Sequence, residues 1–105
     1  MSDIKVTSDG NMSLVEPTNG EYYDRAELQG HCGGGIKLFF TNNKYIIWNA
    51  NGEELGLLYN GIATNWLIEA KYQWDNVRGT ALLVDAEHID TTKLFDTVEI
   101  VNNKS

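Results

Sequence analysis

Gly30-His31-Cys32-Gly33-Gly34 sets the only cysteine of the chain beside a histidine and ahead of further glycines. A thiol becomes a nucleophile when a neighbouring base takes its proton, and the amides of glycines that follow it can donate to a developing oxyanion. Cys32 and His31 are therefore the residues whose types and spacing come nearest to covalent chemistry. The connection Asp85-Ala86-Glu87-His88-Ile89-Asp90 is the second candidate. Clustered carboxylates suit hard divalent cations, and a histidine adds a nitrogen ligand.

The five-residue box is similar to the G-x-C-G-G motif around the nucleophile of chymotrypsin-like cysteine proteases from picornavirus-type viruses. That resemblance implies a two-barrel enzyme whose base and acid precede the cysteine. A chain of 105 residues holds one domain, and its other histidine, His88, follows Cys32. In an extended segment, His31 also points to the side opposite its neighbour. Cys32 is accordingly expected to be a small, semi-buried structural thiol on a glycine-rich turn, and no catalytic residue is assigned. A calcium loop beginning at Asp85 would need glycine at its sixth position, where Asp90 stands. One cysteine and two histidines fall short of the usual four-ligand zinc set. Neither a metal nor a cofactor is expected.

Fifteen acidic against eight basic residues leave a formal net charge of −7. Such a chain is repelled by phosphate backbones and anionic lipid heads, so nucleic acid and membranes are poor partners and a basic protein surface is a better one. A lone cysteine forms no internal disulfide, in keeping with a reducing compartment. MSDIKVTSDG lacks the basic start and apolar stretch of a signal peptide, and no run approaches the ~18 apolar residues of a membrane span. A cytoplasmic location is expected.

Turn chemistry marks out the elements that must position these residues. The first ten residues are polar and expected to be loose, with Ile4 and Val6 alternating as in a short edge strand. Pro17-Thr18-Asn19-Gly20 reads as a turn, and residues 21–29 fit either a strand or a short helix. Two β-rich runs, Ile36 to Thr41 and Lys44 to Asn49, flank Asn42-Asn43, whose side chains tolerate the left-handed backbone of a two-residue hairpin turn. Asn51-Gly52 and Asn60-Gly61 repeat the signal and bound an expected strand over residues 53–59. From Asn65 to Asp75 polar and apolar residues alternate. This predicts a strand with Trp66, Ile68, Ala70, Tyr72 and Trp74 inward and Glu69 and Asp75 outward. Further strands are expected over residues 77–84 and 94–101, with a loop or one helical turn between them.

Together these elements predict a single domain over residues 1–105, mainly β: a small antiparallel meander closing as a barrel or sandwich, with at most one short helix. Its expected core includes Ile36, Leu38, Ile47, Leu57, Trp66, Ile68, Tyr72, Leu82 and Val98. The function that fits small size, acidity and no catalytic constellation is a non-enzymatic module that docks on a larger, basic-surfaced protein and inhibits or regulates it. Immunity proteins, phage-encoded inhibitors and DNA mimics are of this type. Trp48 is the expected anchor, and Glu53, Glu54, Glu69, Asp75, Asp85, Glu87 and Asp90 are the expected acidic contacts. The second reading is a β-barrel that stacks a sugar or another small ligand on exposed aromatics. A Cys32-dependent enzyme is the third.

Overall fold

The computed structural model describes residues 3–72 and 76–90, together with the strand pairing of residues 99–101. Among the described residues, six strands form one sheet in the spatial order β2-β1-β5-β4-β3-β6. In chain order they are β1 (Asp3–Val6), β2 (Met12–Val15), β3 (Ile36–Thr41), β4 (Lys44–Asn49), β5 (Ala81–Asp85) and β6 (Glu99–Val101). Pairing is antiparallel throughout, except that β6 runs parallel to β3. The mainly-β, antiparallel expectation holds, and the sheet is open rather than closed as a barrel, with β2 and β6 at its two edges. β1 is no edge strand: it lies between β2 and β5, with Val6 fully buried.

The β3–β4 hairpin forms as its turn chemistry dictates. Asn42 and Asn43 take φ of 51° and 63°, the left-handed values that a two-residue turn needs, and Thr41 pairs with Lys44 across them.

The strands of the sheet's centre are apolar on both sides, which is stable only when both faces are covered. Helix α1 (Arg25–Cys32) covers one face, packing Leu28 and Cys32 with Tyr23 against Ile36, Leu38, Ile47, Leu82 and Val84. Helix α2 (Gly61–Glu69) covers the other, placing Ala63 and Leu67 against Val6, Phe39, Ile46, Trp48 and Ala81.

Two helices thus stand where at most one was expected, and α2 replaces the first half of the strand expected over residues 65–75. Asn60 starts it as an N-cap, its side-chain oxygen accepting from Ala63 N at 3.0 Å. Ala63, Leu67 and Ala70 then recur at helical spacing on the sheet side. The two-residue alternation of Trp66, Ile68 and Ala70 overlies that stripe, so periodicity alone selects the wrong element. Leu67, an apolar residue at a position that alternation would turn outward, is fully buried, whereas Ile68 is exposed. Trp66 and Tyr72 are half-buried on the same side, with the Tyr72 ring stacked on Phe39 at 4.8 Å.

Ile36, Leu38, Ile47 and Leu82 are in the core as expected, and Leu57 is half-buried. Trp74, Asp75, Val98 and the beginning of the expected last strand lie outside the described residues. Residues 53–59 form a turn and an irregular stretch rather than a strand, with Tyr59 in an isolated antiparallel bridge to Arg78. They fold back on residues 77–79, with Gly79 N donating to Leu58 O at 2.7 Å and Asn60 N to Val77 O at 2.8 Å. The strand expected from residue 77 begins at Ala81, and the acidic connection after it contains a single 3₁₀ turn, Ala86–His88. No helix among the described residues is long and apolar enough to cross a membrane.

Candidate functional site

His31 and Cys32 are the last turn of α1, and the glycines behind them end the helix. Gly33 takes φ 85°, the left-handed conformation of a C-terminal cap. The N–H groups of Gly33 and Gly34 both donate to Gln29 O, at 2.7 and 3.1 Å, so both are spent on the cap and not presented to an oxyanion. Cys32 is 2 % exposed, and its Sγ meets Ile47 O at 3.9 Å. Burial pushes the thiol up to about 12, far from the depressed value of an activated nucleophile.

A polar cluster that no local pattern reveals is centred on Asp3, which is 1 % exposed. Its Oδ1 accepts from Asp85 N at 2.9 Å, and its Oδ2 accepts from the Tyr23 hydroxyl and from His88 Nδ1, each at 2.7 Å. A carboxylate only accepts, so Nδ1 carries a hydrogen in this contact. Burial, reinforced by the bond to Asp3, raises the Tyr23 phenol above its ordinary value and keeps it a donor. The rings of His31 and His88 lie edge-on to Tyr23, at centroid distances of 6.5 and 6.2 Å.

Asp85 Oδ1 meets Lys44 Nζ at 3.0 Å, and that bond holds its carboxyl below the usual range. Ligand-type atoms of Asp3, Asp85 and His88 all lie within 4.8 Å of one another, a spacing one cation can bridge. Among the described residues, however, every buried side-chain nitrogen or oxygen has a hydrogen-bond partner. The Asp3 oxygens are already occupied by protein donors, so the cluster acts as a joint between β1, β5, Tyr23 and the 3₁₀ turn.

The sequence-derived contact residues are dispersed. Trp48 lies on the face opposite Ile47, as alternation implies, but α2 covers that face and Trp48 is 2 % exposed. It is a core residue and not a protruding anchor. Glu53, Glu54 and Glu87 are exposed, Asp85 and Asp90 are half-buried, and Asp75 lies outside the described residues. Glu69 is exposed at the far end of α2, accepting from Asn65 Nδ2 at 3.3 Å.

The large apolar side chains that alternation did not place at the surface are on the connection leading into α2 and in its first turn. Leu55, Leu58, Tyr59 and Ile62 are exposed at 57%, 72%, 51% and 36%, directly after Glu53 and Glu54. A short segment that turns so many large apolar side chains to water is a mark of an interaction surface. Asn51-Gly52 beside an apolar run was the available signal, but it reads equally well as a hairpin.

A cavity of about 220 Å³ lies behind this segment. Lys37 from β3, Asn49 from β4, Gly52 and Glu53 from the turn, and Arg78 from the segment before β5 line it, with Trp48 as its apolar wall. No family model, curated protein or solved structure matches the chain.

Proposed function

We propose that this chain is a non-enzymatic acidic binding module whose segment 53–62 docks on a protein with a basic surface and inhibits or regulates it. The observation that carries the reading is the outward set Leu55, Leu58, Tyr59 and Ile62 beside Glu53 and Glu54. Exposed aromatic and aliphatic groups supply the desolvated centre that slows dissociation, while flanking carboxylates on a chain of net charge −7 steer a basic partner and speed association. The segment is held in place before any partner arrives. Leu57 N donates to Gly52 O at 2.9 Å, Gly79 N to Leu58 O at 2.7 Å and Arg78 Nη1 to Leu57 O at 3.2 Å. Docking therefore orders little new backbone, which lowers its entropic cost. The buried, protonated thiol of Cys32 is consistent with a role that needs no nucleophile.

The test is capture from the source cell with wild type and Leu58→Asp as matched baits, followed by kinetics on the purified partner. The reading expects a basic protein that is retained by wild type and lost by Leu58→Asp. Its association should slow as salt rises and slow further with Glu53→Lys and Glu54→Lys, while Tyr59→Ala speeds dissociation. A partner bound equally by wild type and Leu58→Asp would move the interface off this segment. Association indifferent to salt would remove the electrostatic half of the argument.

A further inference from the structure

We propose that the cavity beneath the 50–53 turn is a binding site for a small oxyanion, the carboxylate or phosphate group of a low-molecular-weight metabolite. Charge is the first reason. The chain carries eight basic residues against fifteen acidic ones, yet two of the eight, Lys37 and Arg78, line this one cavity, and Glu53 is the one acidic residue among its described lining. A recessed pocket focuses the field of its own cations, so the site is locally attractive to an anion on a molecule that otherwise repels it.

Geometry is the second reason. Arg78 Nη1 is anchored on Leu57 O at 3.2 Å, and the other N–H groups of its guanidinium make no protein hydrogen bond among the described residues. An oriented planar fork with donors to spare matches the paired oxygens of a carboxylate or phosphate, and the Lys37 ammonium adds a point charge. The turn is packed directly on Arg78: a Cβ added to Gly52 would lie 2.9 Å from Arg78 Cβ and 3.2 Å from its carbonyl oxygen. Glycine at position 52 is thus what allows the turn and Arg78 to form one wall.

The remaining wall is equally fixed. Asn49 is buried, with Nδ2 donating to Cys32 O at 2.9 Å and Oδ1 accepting from Asn51 N at 2.7 Å. A volume of about 220 Å³ lies below the roughly 300–1,000 Å³ of drug-sized sites, which suits a compact metabolite and excludes a polymer as the enclosed group.

The experiment titrates inorganic phosphate, and separately citrate, into the isotope-labelled full chain at constant ionic strength held with sodium chloride, reading backbone and side-chain N–H resonances. Saturable shifts are expected at Gly52, at Arg78 including its Nε, and at the Trp48 indole. Saturation by phosphate alone assigns a phosphate group, by citrate alone a carboxylate, and by both a general oxyanion site. Arg78→Lys keeps a cation but loses the fork and should weaken binding about tenfold, the effect of one good charge-assisted pair. Lys37→Gln should weaken it too, and a dispersed spectrum for each variant shows that the fold is intact. Shifts that stay linear with both anions, that saturate elsewhere on the molecule, or that are unchanged in Arg78→Lys would overturn the proposal.

Discussion

The side-chain amide of Asn60 donates to Val6 O at 3.2 Å, tying the N-cap of α2 to the end of β1 across 54 residues of chain. The same Nδ2 donates to Gly79 O at 2.8 Å, and Oδ1 accepts from Ala63 N at 3.0 Å. One buried side chain therefore joins the sheet, the segment leading into β5 and the helix that covers the sheet's second face. Asn60→Ala removes the cap and leaves one buried and one part-buried carbonyl short of a donor, for a loss of about 2–4 kcal/mol. At about 4–8 °C per kcal/mol for a domain of this size, the melting temperature should fall clearly. Asn60→Asp keeps the cap acceptor but turns a carboxylate toward both carbonyls, so it should also destabilise. A urea midpoint for Asn60→Ala equal to that of wild type would show that the joint contributes nothing.

Cys32 should behave as a core atom. Burial pushes the native thiol up to about 12 from an ordinary 9.0, so the folded state keeps its proton where the unfolded state gives it up. This stabilising contribution is complete below the ordinary value and is lost as pH rises through the folded one. A thiol reagent at neutral pH should react at a rate set by unfolding, and urea should accelerate it steeply. Between neutrality and about pH 10, wild type should lose more stability than Cys32→Ala. Fast labelling of the native protein would contradict the burial.

Asp3→Asn should show how much the Asp3–Tyr23–His88 joint contributes. The amide offers one acceptor oxygen where the carboxylate offered two, so Tyr23, His88 Nδ1 or Asp85 N must lose its partner. The expected cost is about 1–3 kcal/mol. In a double-mutant cycle with Tyr23→Phe the two changes should couple by more than ~0.5 kcal/mol, whereas independent sites would simply add. Because protein donors already occupy the Asp3 oxygens, treatment with a chelator should leave the melting temperature unchanged.

His31 should produce a shallow acid limb. Burial, aided by the nearby Lys5 ammonium, lowers its value in the folded chain below the ordinary 6.5. For a lowered value the unfolded state takes up the proton first, so the stability present above 6.5 is lost as pH falls through the folded value. Unfolding free energy should decline modestly between about pH 7 and 5 in wild type and less so in His31→Gln. Parallel profiles for the two proteins would assign the limb to other groups.

The features that sequence alone determined are those whose causes are local. Asn42-Asn43 specifies a hairpin because two adjacent residues must both adopt positive φ, and no distant contact is needed to decide it. The apolar runs of β3, β4 and β5 likewise announce strands. Tertiary structure decided what lies against those runs. Residues 61–70 carry a two-residue and a helical apolar period at once, and the helix wins because the second face of the sheet needs a cover that Ala63 and Leu67 supply. That same cover buries Trp48, so the strand's alternation predicts its side correctly and its exposure wrongly. The Asp3 joint spans 20 residues to Tyr23 and 85 to His88, and the cavity brings Lys37 to Arg78 across the fold. Such meetings follow from strand order, which places β1 beside β5 and folds the 50–60 connection onto residues 77–79. Strand order is set by burying both faces of one sheet together, a property of the whole chain that no short window of residues contains.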